Sequence, residues 1–440
     1  MKNLFIILSI YILISTAIAG EITNSTLIND CESLQHIDQN LDAYFELEND
    51  IDCTNYYFFP IGSNSDPFTG TINGHGYTIS NLSIIKPDAE NIGLFSATED
   101  ASITNLNLEN ANIEGIEAVG ILIGKDRGNT NISNINASGQ VTAGSESRYI
   151  GGLVGYAGLH SIINDILLNI NVKADPMSSE SIGGLLGHGY QVTVEDVHVN
   201  GEVTGKENVG GLIGSLYSYD NIYNTSTNVK VSGVINTGGL IGDAETLAHI
   251  ISSHATGNVY GEEKTGGLVG LLDGEISFSY ATGNVFGENK TGGLVGENKE
   301  SIEESYATGD VYGIDDVGGL SGSNYFGRID NSYATGNIEG TRYVGGLVGS
   351  HEGHSIQYNY SIGKVSGTSY VGGLVGSYEG YDTENNYWDV NSSGQLNSAV
   401  GIGKTTSEMY YQRTYEEWDF VNIWSIENSY GYPSLMFEFK

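Results

Sequence analysis

The chain has 440 residues, with 62 glycines, 5 prolines and a net charge of −37 from 54 acidic and 17 basic side chains. So little proline beside so much glycine excludes a collagen-like triple helix. The acidic excess repels nucleic acid and anionic membranes, so neither is an expected partner; the acids are scattered, as on a solvated surface.

The first element is a leader. Lys2 gives a positive start, Leu4 to Ile14 an apolar run, and Ala17-Ile18-Ala19 a small-x-small cleavage pattern. Residues 1–19 are therefore read as a signal peptide, which predicts a secreted or cell-surface protein. The apolar run is shorter than the ~20 residues a bilayer span needs. No second stretch approaches that length, so no integral membrane segment is expected after leader removal. In an exported chain Cys31 and Cys53 are free to form a disulfide. It would close a loop of about 22 residues and add ~3 kcal/mol on the chain-entropy model. Two free thiols are the alternative.

Beyond residue 90 the sequence repeats itself, which decides the fold before any local signal does. Gly-Gly-Leu-(Val/Ile/Leu)-Gly begins at Gly151, Gly183, Gly210, Gly238, Gly266, Gly292, Gly345 and Gly372, and Gly318 opens a variant with Ser321 in fourth place. Weaker copies at Val119–Gly124 and Ile92–Phe95 bring the total to eleven, spaced 26 to 32 residues apart. A second element, Ser279-Tyr280-Ala281-Thr282-Gly283-Asn284-Val285, returns in register at Ser305 and Ser332 and degenerates at Asn359.

Superposed, the copies give three apolar columns: Leu240 to Leu374, Ile250 to Ile356, and Val259 to Val365. Short pieces rich in Val, Ile, Thr and Tyr, broken by Gly, Asn and Asp, read as strands and turns, and helical periodicity is absent. The pattern fits a three-sided parallel β-helix with about five strand residues per side. One coil cannot bury its inward face alone, so stacking supplies the core. Glycine at the corners is expected to admit positive φ and close backbone approach. Stacking also aligns Tyr280, Tyr306, Tyr333 and Tyr360 in an aromatic ladder, and Asn258, Asn284 and Asn337 in an amide column. The tyrosines are either a structural stack or an exposed stripe for carbohydrate or partner binding.

These Gly-Gly-Leu-Val-Gly copies resemble the GLUG repeat of bacterial and archaeal surface proteins, which include adhesin-like proteins and the non-catalytic part of some immunoglobulin-A-cleaving proteases. The resemblance covers roughly residues 90 to 385. It implies a right-handed parallel β-helix of interaction or structural type, a handedness that parallel crossovers also prefer. The segments Asn49–Asp52, Pro60–Gly62 and Phe68–Leu82 resemble the usual opening coils, and Asn386–Asp389, Trp418–Phe420, Trp424 and Tyr432-Pro433 the usual closing segment. A solenoid needs its open ends covered. The expected division is thus an N-terminal cap with opening coils at 20–90, the repeat β-helix at 91–384, and an aromatic-rich cap at 385–440. Trp388, Trp418 and Trp424 are expected to shield the last coil.

No catalytic constellation emerges. None of the nine histidines falls in a His-Glu-x-x-His pattern, and no serine-hydrolase elbow occurs in a strand-to-helix context. His351 and His354 flank Glu352 and Gly353, a weak metal spacing for which a solvated turn is the plainer reading. Asp315-Asp316 reads as a corner facing water. A lyase would want bases for an acidic sugar, but only Arg127, Arg148, Arg328, Arg342 and Arg413 are present as arginines, scattered among coils. Neither an activity nor a cofactor is expected. Sequons at Asn24, Asn81, Asn131, Asn136, Asn224, Asn289 and Asn391 are glycosylation candidates if the host modifies exported proteins. The function expected is non-catalytic adhesion or display toward an extracellular protein, glycan or cell surface. The alternatives are an envelope or spacer subunit that self-associates, and a polysaccharide-active lyase or glycosidase built from acids on neighbouring coils.

Overall fold

The computed structural model describes residues 25–245 and 247–439; the leader segment and Asn24 lie outside the described residues. The chain winds into a parallel β-solenoid of about 12 turns. One sheet stacks eleven parallel strands, one per coil, from Phe95–Thr98 to Val375–Tyr378.

A representative coil runs through Glu263–Gly266, Val269–Leu272, Glu275–Ser277, Tyr280–Ala281 and Val285–Phe286. Each strand pairs with its counterpart one repeat on, as in Val269↔Val295, Ile276↔Ile302 and Tyr280↔Tyr306. Five short strands appear where three were expected, because residues in the left-handed region interrupt the sides. One such column is Ser252, Phe278, Glu304, Asn331 and Tyr358, with φ between 43° and 60°. A second, Asn208, Asn236, Lys264, Lys290, Asp316, Tyr343 and Tyr370, kinks strands from within at φ of 49° to 54°.

Glycine therefore does less here through positive φ than through its missing side chain. No glycine of the Gly-Gly-Leu-Val-Gly copies has positive φ. A methyl group on Gly266 would collide with the Val269 carbonyl, and one on Gly267 with the Gly293 carbonyl of the next coil. Such close approach lets the leucine column pack and hydrogen-bond at once. Leu268, Leu294 and Leu320 are fully buried, and their backbone N–H groups donate to the next leucine carbonyl at 2.8 Å. The isoleucine and valine columns are buried as well.

The earlier coils are smoother. Single strands run over Ser102–Val119 and Asn131–Gly151, longer than the expected five-residue sides. Before them, Cys31–Gln35 forms a helix capped by Asp30, with Leu34 and the following Ile37 buried in the core. Gln35 exchanges two hydrogen bonds with the Phe59 backbone, and Cys31 is bonded to Cys53 with a Cα–Cα distance of 5.6 Å.

At the other end the three tryptophans separate. The inward column Ala281, Ala307, Ala334 and Ser361 ends in Trp388, whose indole lies against Gly373 and fills the last coil. Trp418 and Trp424 lie along the flank instead, packed with each other and with Tyr360.

Candidate functional site

The outward-facing columns are where chemistry can be presented along the stack. The tyrosine ladder is regular: Tyr280, Tyr306, Tyr333 and Tyr360 stack with centroids 4.8–4.9 Å apart and ring planes within 9°. It is also largely covered. The C-terminal segment folds back over it, Tyr360 donates to the Pro433 carbonyl at 2.6 Å, and Phe437 reaches Tyr306 and Phe278. Tyr333 and Tyr360 are only 6% and 2% exposed, so the ladder holds the chain's own segment rather than a free stripe. Burial pushes the Tyr333 and Tyr360 hydroxyls far above the usual tyrosine range. A second ladder, which sequence reading did not single out, joins Tyr260, Phe286 and Tyr312 at 4.9 and 5.0 Å with Tyr260 and Tyr312 exposed. Rings stacked this way cover one another's faces and present edges and hydroxyls to a partner.

On the eleven-stranded sheet, His188, Ser215 and Asp243 occupy one column in successive coils. His188 Nδ1 lies 2.7 Å from Ser215 Oγ, and Ser215 donates onward to Ser181 Oγ at 2.8 Å. The order is unsuited to a hydrolytic triad, where the base stands between nucleophile and acid. Here serine stands in the middle, and Asp243 accepts from Asn236. Burial lowers His188 to about 4. Ser215 is itself buried, and this column offers no assembled nucleophile.

Farther along the same column the side chains shorten to Ser323, Ser350 and Ser377, leaving a trough of about 430 Å³. Glu297 closes one end, held by Lys290 at 2.7 Å and Lys264 at 3.6 Å. Asp316 lines this trough, half-buried, with its carboxyl raised by desolvation; it does not simply face water as expected. Its neighbour Asp315 pairs with Arg342 at 2.9 Å.

The earlier coils carry amides. Asn110 Nδ2 donates to Asn81 Oδ1 at 2.6 Å, and Gln140 Nε2 to Asn112 Oδ1 at 2.8 Å. With Ser83 and Asn171 they border an open furrow of about 530 Å³ over Ala111 and Gly139. No charged residue lines it.

The remaining candidates scatter. His351 is buried and accepts at Nδ1 from the Asn324 side-chain amide, whereas His354 is exposed, so the two do not converge. Among the described residues no group of three or more His, Cys, Asp or Glu is placed to hold a metal ion. Arg127, Arg148, Arg328 and Arg342 are each engaged by a neighbouring carboxylate, and Arg413 lies over Tyr411. Of the sequons, Asn136, Asn224, Asn289 and Asn391 are exposed, and Asn81 and Asn131 half-buried. No described helix is long and apolar enough to cross a membrane.

A model of the GLUG motif matches residues 316–339. Halomucin of Haloquadratum walsbyi is 35% identical over 152 residues, covering 32% of this chain and 2% of that protein. A protein named as a Gly-rich membrane protein of Evansella cellulosilytica is 33% identical over 180 residues, covering 38% of this chain and 20% of its own length. This chain thus spans a small part of these curated relatives. Among solved structures, a Bacteroides ovatus protein assigned as an immunoglobulin A1 protease aligns over 95% of this chain and 94% of its own, with 16% identity and a TM-score of 0.32. An IgA1 protease aligns over 89% of this chain and 24% of its own, with 12% identity and a TM-score of 0.32. Likeness at that level carries no argument about fold or activity. The motif match covers one coil, residues 316–339, of a stack whose glycine and leucine columns recur along the chain, so the chain carries a GLUG motif within a repeated fold.

Proposed function

We propose that the chain is a non-catalytic extracellular rod, used in adhesion or display. The observation that carries this reading is the register of the outward columns, some of which repeat similar chemistry over several coils, as in Tyr260, Phe286 and Tyr312. A surface of that kind suits many weak contacts, which add through multivalency when the partner is also repetitive. The engaged arginines and the misordered His188–Ser215–Asp243 column support the absence of catalysis. The leader-like start supports export.

Purified, fluorescently labelled chain is the test. Saturable binding to cells or to extracellular matrix is expected, with no reducing sugar released from a polysaccharide panel. Filaments or layers by microscopy without any such binding would assign a structural subunit instead, and sugar release would assign an enzyme.

A further inference from the structure

We propose that the amide furrow on the early coils binds a neutral, hydroxyl-rich glycan laid along the solenoid axis; this rests on the adhesion reading and names its ligand class. The furrow is built from parallel strands paired coil to coil. Ser83, Asn112, Gln140 and Asn171 occupy one column on four successive coils. The next two members are Glu202 and Lys230, joined by an ion pair at 2.8 Å. The neutral stretch therefore has a defined end.

Its shape comes from a bulge. Between Ala137 and Gly139 the register shifts by one, so that Glu109 and Asn110 stand opposite Ser138. A bulge bends its strand and re-aims the side chains beside it. The extra residue lies on the strand Ser102–Val119, where Asn110 takes φ +54°, and just past it on the facing strand Gly139 sits at φ +148°, where any side chain would strike the Ala111 carbonyl. The floor is consequently bare backbone and one methyl group, low enough for a sugar ring to approach.

The chemistry selects the ligand. Each primary amide carries two donors and an acceptor with two lone pairs. The relays from Asn110 through Asn81 to Asp52 and from Gln140 to Asn112 fix the side chains without using every amide donor and acceptor. What remains are amide donors and acceptors on successive coils, matched to hydroxyl groups that do both. Anionic glycans are disfavoured by the field of a chain carrying −37, and polycations find no carboxylate in the furrow. Coils spaced ~4.8 Å apart advance by nearly the length of one hexose in an extended chain, so successive amides meet successive sugars. With no aromatic side chain in the furrow, selectivity rests on hydroxyl pattern.

The test uses the full chain in native affinity gels containing neutral probes (cello-, manno-, xylo- and laminari-oligosaccharides), with oligogalacturonate as the anionic control. At least one neutral probe is expected to retard the chain, and the anionic probe none. N112D and Q140E preserve shape but replace each amide's two N–H donors with an acceptor-only carboxylate, and each is expected to weaken retardation about tenfold. N289D, an exposed amide far along the stack, should leave it unchanged. Circular dichroism checks that the variants fold. Retardation untouched by N112D and Q140E, or strongest with oligogalacturonate, overturns the proposal. If no neutral probe binds while the chain still binds cells, the furrow assignment falls and adhesion stands; if cells are not bound either, the adhesion reading itself falls.

Discussion

Asp220 is fully buried, and its Oδ2 has no hydrogen-bond partner, while Oδ1 accepts from the Val192 N–H at 2.7 Å. Burial pushes its carboxyl up to about 7, partly opposed by backbone donors. Asp243, beside Asn236, is likewise raised to about 7 by desolvation. Below about pH 4 both acids are protonated in the folded and the unfolded chain alike. As pH rises from there, the unfolded chain releases protons that the folded chain retains, so the stabilising contribution is lost progressively up to about 7. D220N keeps the acceptor toward Val192 and removes the titration. It should raise stability at pH 8 by on the order of 2–4 kcal/mol and change little at pH 4. Urea unfolding at both pH values measures this, and an equal effect at the two would refute it. Neither acid stands out in the sequence, because nothing about Asp220 or Asp243 marks them apart from the other acids until the coil that buries them is known. The leucines were legible for the opposite reason: Leu240, Leu268 and Leu294 recur at fixed spacing, and only an inward column demands that.

The C-terminal segment shows the same contrast for elements. Its aromatic content was plain, and Trp388 does end the core, but an aperiodic segment carries no register that tells what it meets. The contacts were decided by the one flank with complementary surface, where Trp418 donates to the Asn385 carbonyl at 2.9 Å and Trp424 packs beside Tyr333 and Tyr360. The left-handed columns were illegible too, since Lys264, Asp316 and Tyr343 are not residues that advertise positive φ. Removing residues 405–440 should leave the coils paired but uncover Tyr306, Tyr333 and Tyr360. Each buried aromatic contributes about 1.5–3 kcal/mol, so the unfolding midpoint should fall clearly. A hydrophobic dye should bind, and light scattering should report association at higher concentration. A monomeric, dye-silent truncation of unchanged stability would make the segment a passenger.

For the whole molecule, charge is the dominant long-range term. Ion pairs between neighbouring coils, such as Arg148–Glu117 at 2.9 Å and Arg342–Asp315 at 2.9 Å, are exposed and worth roughly 0–1 kcal/mol each. They stand against the self-repulsion of 37 uncompensated negative charges. Added salt shortens the screening length from ~10 Å at 0.1 M to ~3 Å at 1 M, weakening both, with repulsion the larger. The thermal midpoint should therefore climb as sodium chloride is raised across that range. A flat or falling midpoint in a calorimetric series would show that the ion pairs prevail.

The backbone bonds between coils run along the axis, from the N–H of Leu240 to the carbonyl of Leu268, and from there to Leu294 and onward. A pull along that axis meets them one coil at a time, as a zipper does, instead of all together in shear. Each coil that peels away releases 26 to 32 residues, roughly 100 Å of extended chain. The solenoid thus yields in steps, with little force and long travel, and can lengthen severalfold without parting. Its two ends resist differently. The Cys31–Cys53 bond rivets the opening coil covalently, while the C-terminal segment clasps the flank of coils that a pull from that side would reach next. Under load, the first event is the slip of Phe437 and Trp424 from the tyrosines, and only after it can the coils begin to unwind.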